Sequence, residues 1–262
     1  MPKGICKLSV IPLRSEPSSK SEMVTQILFG ETYTILEVQG DWVNIKTDTD
    51  HYEAWISHNQ FECWDEMSSN HLVLDTFPFS IAMDLETNQQ VNLLSGSILH
   101  EPTHTDSHTF FKINNTSYQM LLNPSVVSKV NNMGVLNTSK LFLNSPYLWG
   151  GRTFLGIDCS GFTQLVYKLN GVQLPRDAYQ QAELGEFVVF LDQAKVGDLA
   201  FFVNDADKVT HVGLLLGDGK VIHASGKVRI DKIDSHGIFD EKQGKHTHIL
   251  KCIKRILKET NL

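Results

Sequence analysis

Cys159 is the residue of this chain best placed to do chemistry. It stands in YLWGGRTFLGIDCSG, residues 147–161, with glycines at 150, 151 and 156 before it and SGFTQLVYKL, residues 160–169, after it. Apolar residues at 162, 165, 166 and 169 have helical spacing, and Asn170-Gly171 supplies a stop. The cysteine therefore falls at a loop-to-helix junction. There the macrodipole favours a thiolate, and N–H groups without intrahelical acceptors can hold an oxyanion. Ser160 and Gly161 leave the approach to sulfur uncrowded. Such a nucleophile needs a base. Of 11 histidines, His211 in VTHVGLLL and His223 in VIHAS fall on consecutive strands across the Asp218-Gly219 turn. An antiparallel hairpin with this 12-residue separation sets the imidazoles side by side, one to take the thiol proton and the other to orient it. Each residue alone reads as a buried thiol or a satisfied strand histidine. The three together point to nucleophilic catalysis.

The other histidines (51, 58, 71, 100, 104, 108, 236, 246 and 248) lie in polar or turn-like stretches and read as surface. His246 and His248 share a strand face, but no Cys, Asp or Glu joins them at ligand spacing, so no metal is expected. Cysteines 6, 63, 159 and 252 form no CxxC pair and read as free thiols in a reducing compartment.

The elements that must position these groups follow from the flanking pattern. Residues 128–146 read as a helix interrupted near Gly134 and ended by Pro146. After the cysteine helix, GVQLPRDAYQQAELGEFV is a loop with a short helical piece. LDQAKVGDLAFFV, VTHVGLLLG, VIHAS, VRIDKI and HTHILKCIKRI then give strands at successive hairpins, an α+β domain with an antiparallel sheet. Residues 5–62 read as short strands divided by turns, a small barrel with Trp42 and Trp55 as packing aromatics. CWDEMSS reads as a linker, and residues through 127 give short strands again, with a break at Asn123-Pro124. LSGSILHE echoes LFGETYTI and FFKIN echoes WVNIK, so a second, diverged barrel is expected over 64–127.

Bulk properties narrow the function classes. A net charge of −7 and a pI near 5.9 argue against nucleic acid as partner. No apolar run is long enough to span a bilayer, and the first residues have no secretory core, so a cytoplasmic protein is expected unless a signal was removed.

Two resemblances sharpen the expectation. RSEPSSKSEMVTQILFGETYTILEVQGDWVNIKTDTDHYEAWI resembles a bacterial SH3 domain, covering about residues 5–62, with Ala54 where that family usually has Gly. YLWGG, DCSGF, LPRDAYQQ, GDLAFF and THVGLLLGDGKVIHAS resemble the NlpC/p60 family of papain-like cysteine peptidases. The implied architecture is an SH3-like barrel over 1–63, a second over 64–127 and a papain-like catalytic domain over 128–262. The resemblance implies Cys159 as nucleophile, His211 as general base and His223 as its orienting residue. It places the Tyr147 hydroxyl beside the thiol, Asp158 and Ser160 against substrate, and Asp177 on the substrate's free amino group. On the residues alone, Asp177 also reads as a loop carboxylate or a helix N-cap ahead of AYQQ.

With SH3 domains in front, the chain is similar to the γ-D-glutamyl-diamino-acid peptidases. That subgroup implies cleavage of cell-wall peptides after γ-D-Glu, before lysine or meso-diaminopimelate, in substrates with free N-terminal L-Ala. The first domain would close the cleft beyond the L-Ala, with Glu16 and Tyr52 as its contacts, or Glu53 instead. Small murein peptides are then the partners of a monomer without cofactors. The competing readings are an open-cleft endopeptidase or amidase on the same scaffold, and a non-enzymatic wall-binding protein.

Overall fold

A computed structural model describes residues 1–65, 70–121 and 132–257. The Asn123-Pro124 break, most of the CWDEMSS segment and the start of the 128–146 helix lie outside the described residues. The chain divides into two units, Met1–Val127 and Ser128–Leu262.

In the first unit, alternation of buried and half-exposed residues builds two β bodies. The strand Trp42–Thr47 alternates regularly, turning Val43, Ile45 and Thr47 inward. It belongs to a six-stranded antiparallel sheet whose strands lie in the order Lys3–Ile5, Thr32–Gln39, Trp42–Thr47, Glu53–Ser57, Val10–Arg14 and Met23–Leu28. Cys6, Ile11, Leu13, Ile27, Tyr33 and Ile56 complete its core, and Trp42 and Trp55 are half-buried. Ala54 is also packed in that core.

The second body is a five-stranded sheet in the order Thr103–His104, Thr109–Ile113, Thr116–Met120, Phe79–Asp84 and Gln90–Leu94. A two-stranded pair, His71–Val73 with Ile98–His100, accompanies it. The two bodies meet through Phe29, which makes edge contacts with Phe111 (5.9 Å) and Tyr118 (5.6 Å). The neighbouring Gly30 has φ +78°, and a Cβ there would fall 1.8 Å from the Ile98 carbonyl oxygen. Only glycine permits that approach.

The second unit is organised around one helix. Helix α1 spans Asn132–Leu141, α2 Cys159–Lys168 and α3 Ala178–Gln181. Helix α1 runs through Gly134 and stops short of Pro146, which instead bridges to Lys227. Helix α2 packs against α1, α3 and the strands that carry His211 and His223, so all ten of its residues are buried. Its polar members are bonded inside: Thr163 Oγ1 donates to Gln181 Oε1 (2.7 Å) and Gln164 Nε2 to the Leu174 carbonyl (3.0 Å). Gly171, at φ +75°, follows its C-terminus.

The sheet beside it has seven antiparallel strands. Their order is Glu186–Val188, Lys245–Arg255, Leu199–Val203, Val209–Gly217, Lys220–Ser225, Lys227–Asp234 and Gly237–Asp240. The long closing strand also pairs with Gly237–Asp240, joining the far edge of the sheet back to its start. Its buried side is filled by Ala200, Phe202, Leu215, Val221, Ile233, Ile238 and Ile253.

Candidate active site

Cys159 is the first residue of α2, and Asp158 is the N-cap. Asp158 Oδ1 accepts the Gly161 N–H (2.7 Å) and Oδ2 the Gly150 N–H (2.9 Å), tying the glycine loop to the helix start. The Asp158 carbonyl accepts the Phe162 N–H (2.9 Å). These bonds occupy two first-turn donors. They leave the Cys159 N–H without an acceptor among the described residues, and the Ser160 N–H on the Cys159 sulfur. Gly161 does more than clear the approach: a Cβ there would lie 2.4 Å from the Gly151 carbonyl oxygen, so the loop closes on the helix only over glycine.

The histidines are set by sheet register. Gly213 pairs with His223, and His211 lies two residues before Gly213 on the same face. His211 and His223 are thus diagonal neighbours. His211 Nε2 lies 2.8 Å from His223 Nδ1. Gly213 makes room for this, since a Cβ on it would come within 3.1 Å of the His223 Cβ and 2.6 Å of Val221 Cγ2. The residue after His211, Val212, offers its backbone to the Cys159 sulfur as a hydrogen-bond partner, which brings the nucleophile to the His211 strand.

Burial and the Asp158 charge push the Cys159 thiol up to about 12, against the Val212 and Ser160 backbone bonds and the Arg176 charge, which favour the thiolate. Burial, then His223 and His248, hold His211 well below the ordinary imidazole value. Thiol and imidazole are therefore both biased to their neutral forms. The proton leaves sulfur as the nucleophile attacks.

The remaining expected residues fall in three groups. Tyr147 is half-buried: burial pushes its phenol up to about 12, and the charges of Cys159 and Asp158 add to the shift. Asp158 and Ser160 are buried and both bonded to Arg176, which donates to Asp158 Oδ1 (3.0 Å) and Oδ2 (2.6 Å) and to Ser160 Oγ (2.9 Å). Asp177 caps α3, and its backbone N–H donates to Gln180 Oε1 (3.2 Å). Glu16 and Tyr52 belong to the first unit. Glu16 is exposed in the loop after Val10–Arg14, and Tyr52 packs on the first β core beside Thr47.

Three residues escaped the sequence. Arg176 is fully buried, although its setting in LPRDAYQQ reads as loop. Asp231 Oδ2 lies 2.8 Å from His223 Nε2, and Asp231 Oδ1 accepts from Arg229 Nη2 (2.7 Å). The alternation of VRIDKI marks a strand, but only register shows that Asp231 reaches His223. His248 reads as surface and is instead half-buried, its ring 4.3 Å from that of His211 and tilted 30°. Ligand nitrogens of His211, His223 and His248 come within 4.8 Å of one another, as do the ligand atoms of exposed Asp234, His236 and His246. In the first group, the facing nitrogens of His211 and His223 already share a hydrogen bond.

Residues 144–245 match the NlpC/P60 family, and residues 13–61 match the bacterial dipeptidyl-peptidase SH3 domain. The γ-D-glutamyl-L-lysine dipeptidyl-peptidase of Bacillus subtilis is 32% identical over 214 residues, 76% of this chain and 71% of its own length. The chain belongs to the NlpC/P60 family. A protein of the same name from Bacillus cereus is 27% identical over 88% of this chain and 77% of its own. The crystal structure of an NlpC/P60 family protein from Bacillus cereus superposes with a TM-score of 0.84, covering 98% of this chain and all of that one at 22% identity. The fold is therefore that of NlpC/P60 proteins with an SH3-like domain in front, and the protein is a cysteine peptidase.

Proposed function

We propose that the chain hydrolyses the bond between γ-D-Glu and the diamino acid, lysine or meso-diaminopimelate, in small murein peptides that carry a free N-terminal L-Ala. The observation that carries this reading is the bonded His211–His223 pair on two paired strands beside the Cys159 helix start, in a chain whose relatives are named γ-D-glutamyl-L-lysine dipeptidyl-peptidases. Cys159 Sγ attacks the γ-carbonyl carbon while His211 takes the thiol proton. The Cys159 N–H, open at the helix start, holds the oxyanion. His211 then gives the proton to the departing amine, leaving L-Ala-D-Glu as a thioester on Cys159. Water, deprotonated by the same histidine, releases it.

In this reading Tyr147, Asp158 and Ser160 contact the substrate, and Asp177 receives its ammonium group. The second β body, residues 64–127, is a diverged SH3-like barrel, a proposal supported by its short antiparallel strands and hairpins. The protein acts as a monomer on soluble peptides in the cytoplasm, where imported wall fragments are recycled. Among the described residues no helix is long and apolar enough to cross a membrane.

The test is hydrolysis of L-Ala-γ-D-Glu-L-Lys and its N-acetylated twin, with Cys159→Ala as control. Cleavage of the free-amine peptide alone, lost in the variant, is expected. Equal cleavage of both peptides contradicts the amine requirement and favours an open-cleft endopeptidase. No cleavage of either contradicts the bond assignment.

A further inference from the structure

Three neighbouring strands carry a diagonal line of hydrogen-bonding side chains on one face of the sheet. His211 is two residues from Gly213, the partner of His223; His223 pairs with Arg229, and Asp231 lies two residues beyond. Each diagonal step is closed by a contact of 2.8 Å: His211 Nε2 to His223 Nδ1, and His223 Nε2 to Asp231 Oδ2. At the far end, Arg229 Nη2 donates to both Asp231 Oδ1 (2.7 Å) and Asp240 Oδ2 (3.2 Å). His223 is 1% exposed, so its ring has no solvent alternative for either nitrogen.

The hydrogen positions follow from the acceptor at the end of the line. An ionised carboxylate only accepts. Burial opposes ionisation of Asp231, but the bonds from His223 and Arg229 outweigh it and hold the carboxyl below its usual value. His223 must therefore carry its proton on Nε2 and present Nδ1 as an acceptor. His211 in turn must carry its proton on Nε2. The lone pair of His211 is then on Nδ1, the nitrogen left for the thiol.

We propose that Asp231 is a positioning residue that selects, through His223, the tautomer of His211 competent to deprotonate Cys159. Arg229, shared with Asp240, balances the carboxylate and fixes its second oxygen. The proposal deepens the catalytic reading of Cys159, His211 and His223 and rests on it. Asp231→Asn is the informative substitution. An amide nitrogen facing His223 Nε2 donates where the carboxylate accepted. That would move the His223 proton to Nδ1 and the His211 proton to Nδ1, against the thiol. Asp231→Ala removes the bias without reversing it. A misset base tautomer in a catalytic triad lowers turnover by about 10⁴-fold, while the geometry stays intact.

The experiment is alkylation of Cys159 by iodoacetamide from pH 5 to 9 in the full chain, which reads the relay without any substrate. The rate is followed on the Cys159 peptide by mass spectrometry, because Cys63 is an exposed free thiol. Near pH 7, Asp231→Asn is expected to slow alkylation by about 100-fold or more and Asp231→Ala by about 10-fold. The ordering of the three proteins is expected to hold across this range, because burial keeps the unaided thiol neutral up to about 12. Equal losses in Asn and Ala at every pH, or an Asn rate within about 3-fold of the parent, overturn the proposal. Nitrogen-15 chemical shifts of the unsubstituted protein give a second measure. Protons on Nε2 of both His211 and His223 are expected, and a proton on His223 Nδ1 overturns it. A failed peptide assay with the alkylation pattern intact would reject the proposed substrate and leave the relay standing.

Discussion

His248 departs from its sequence setting beside the catalytic histidines. In HTHILKCIKRI it reads as exposed, yet its ring lies over His211, and Thr247 Oγ1 is 2.9 Å from its Nδ1. Burial first, then His223, lowers its imidazole to about 4 from an ordinary 6.5. Between pH 6.5 and 4 the unfolded chain binds a proton there that the folded chain refuses, so stability present above pH 6.5 is lost as pH falls. His211 acts in the same direction. Thermal unfolding should therefore shift downward from pH 7 to pH 4, and His248→Gln should flatten part of that slope. An unchanged slope in the variant contradicts the assignment. At this scale the placing of Cys159 at a helix start, and of His211 and His223 on two strands across one turn, was legible because it is local. Asp231 and Arg176 were not, because their partners are chosen by register and by a loop folding back on α2.

Strand pairing and helix capping decide how well the site is held. Asp158 joins the glycine loop, the helix start and Arg176, so one carboxylate organises the nucleophile's surroundings. Gly213 is the corresponding requirement on the sheet. Gly213→Ala sets a methyl against Val221 and His223 and is expected to cost about 1–3 kcal/mol of stability, as overpacking does. Because His223 must shift, kcat should fall by more than the loss of folded protein explains. Denaturant unfolding alongside steady-state kinetics checks both, and full kcat with unchanged stability contradicts the packing account. The apolar period of residues 162–169 and the alternation of the central strands made α2 and the sheet readable. The strands Glu186–Val188 and Gly237–Asp240 escaped because three or four residues carry little period. Lys245–Arg255 was readable as a closing strand, but not its pairing on both sides, which nothing local marks.

The whole molecule joins an SH3-like domain to a cysteine peptidase, and both were readable from motifs of specific order. The packing of two β bodies through Phe29 was not, since an apolar residue before a Gly-Glu turn says nothing of which core it enters. The central claim is a thioester between Cys159 and the L-Ala-D-Glu half of the substrate. It is tested most directly by acid-quenching the enzyme during turnover of L-Ala-γ-D-Glu-p-nitroanilide, whose good leaving group lets the acyl-enzyme accumulate. Intact-mass and peptide analysis should then find an L-Ala-D-Glu acyl group on Cys159, absent in Cys159→Ala. Sustained release of p-nitroaniline with no such adduct, or an adduct elsewhere in the chain, would contradict the account.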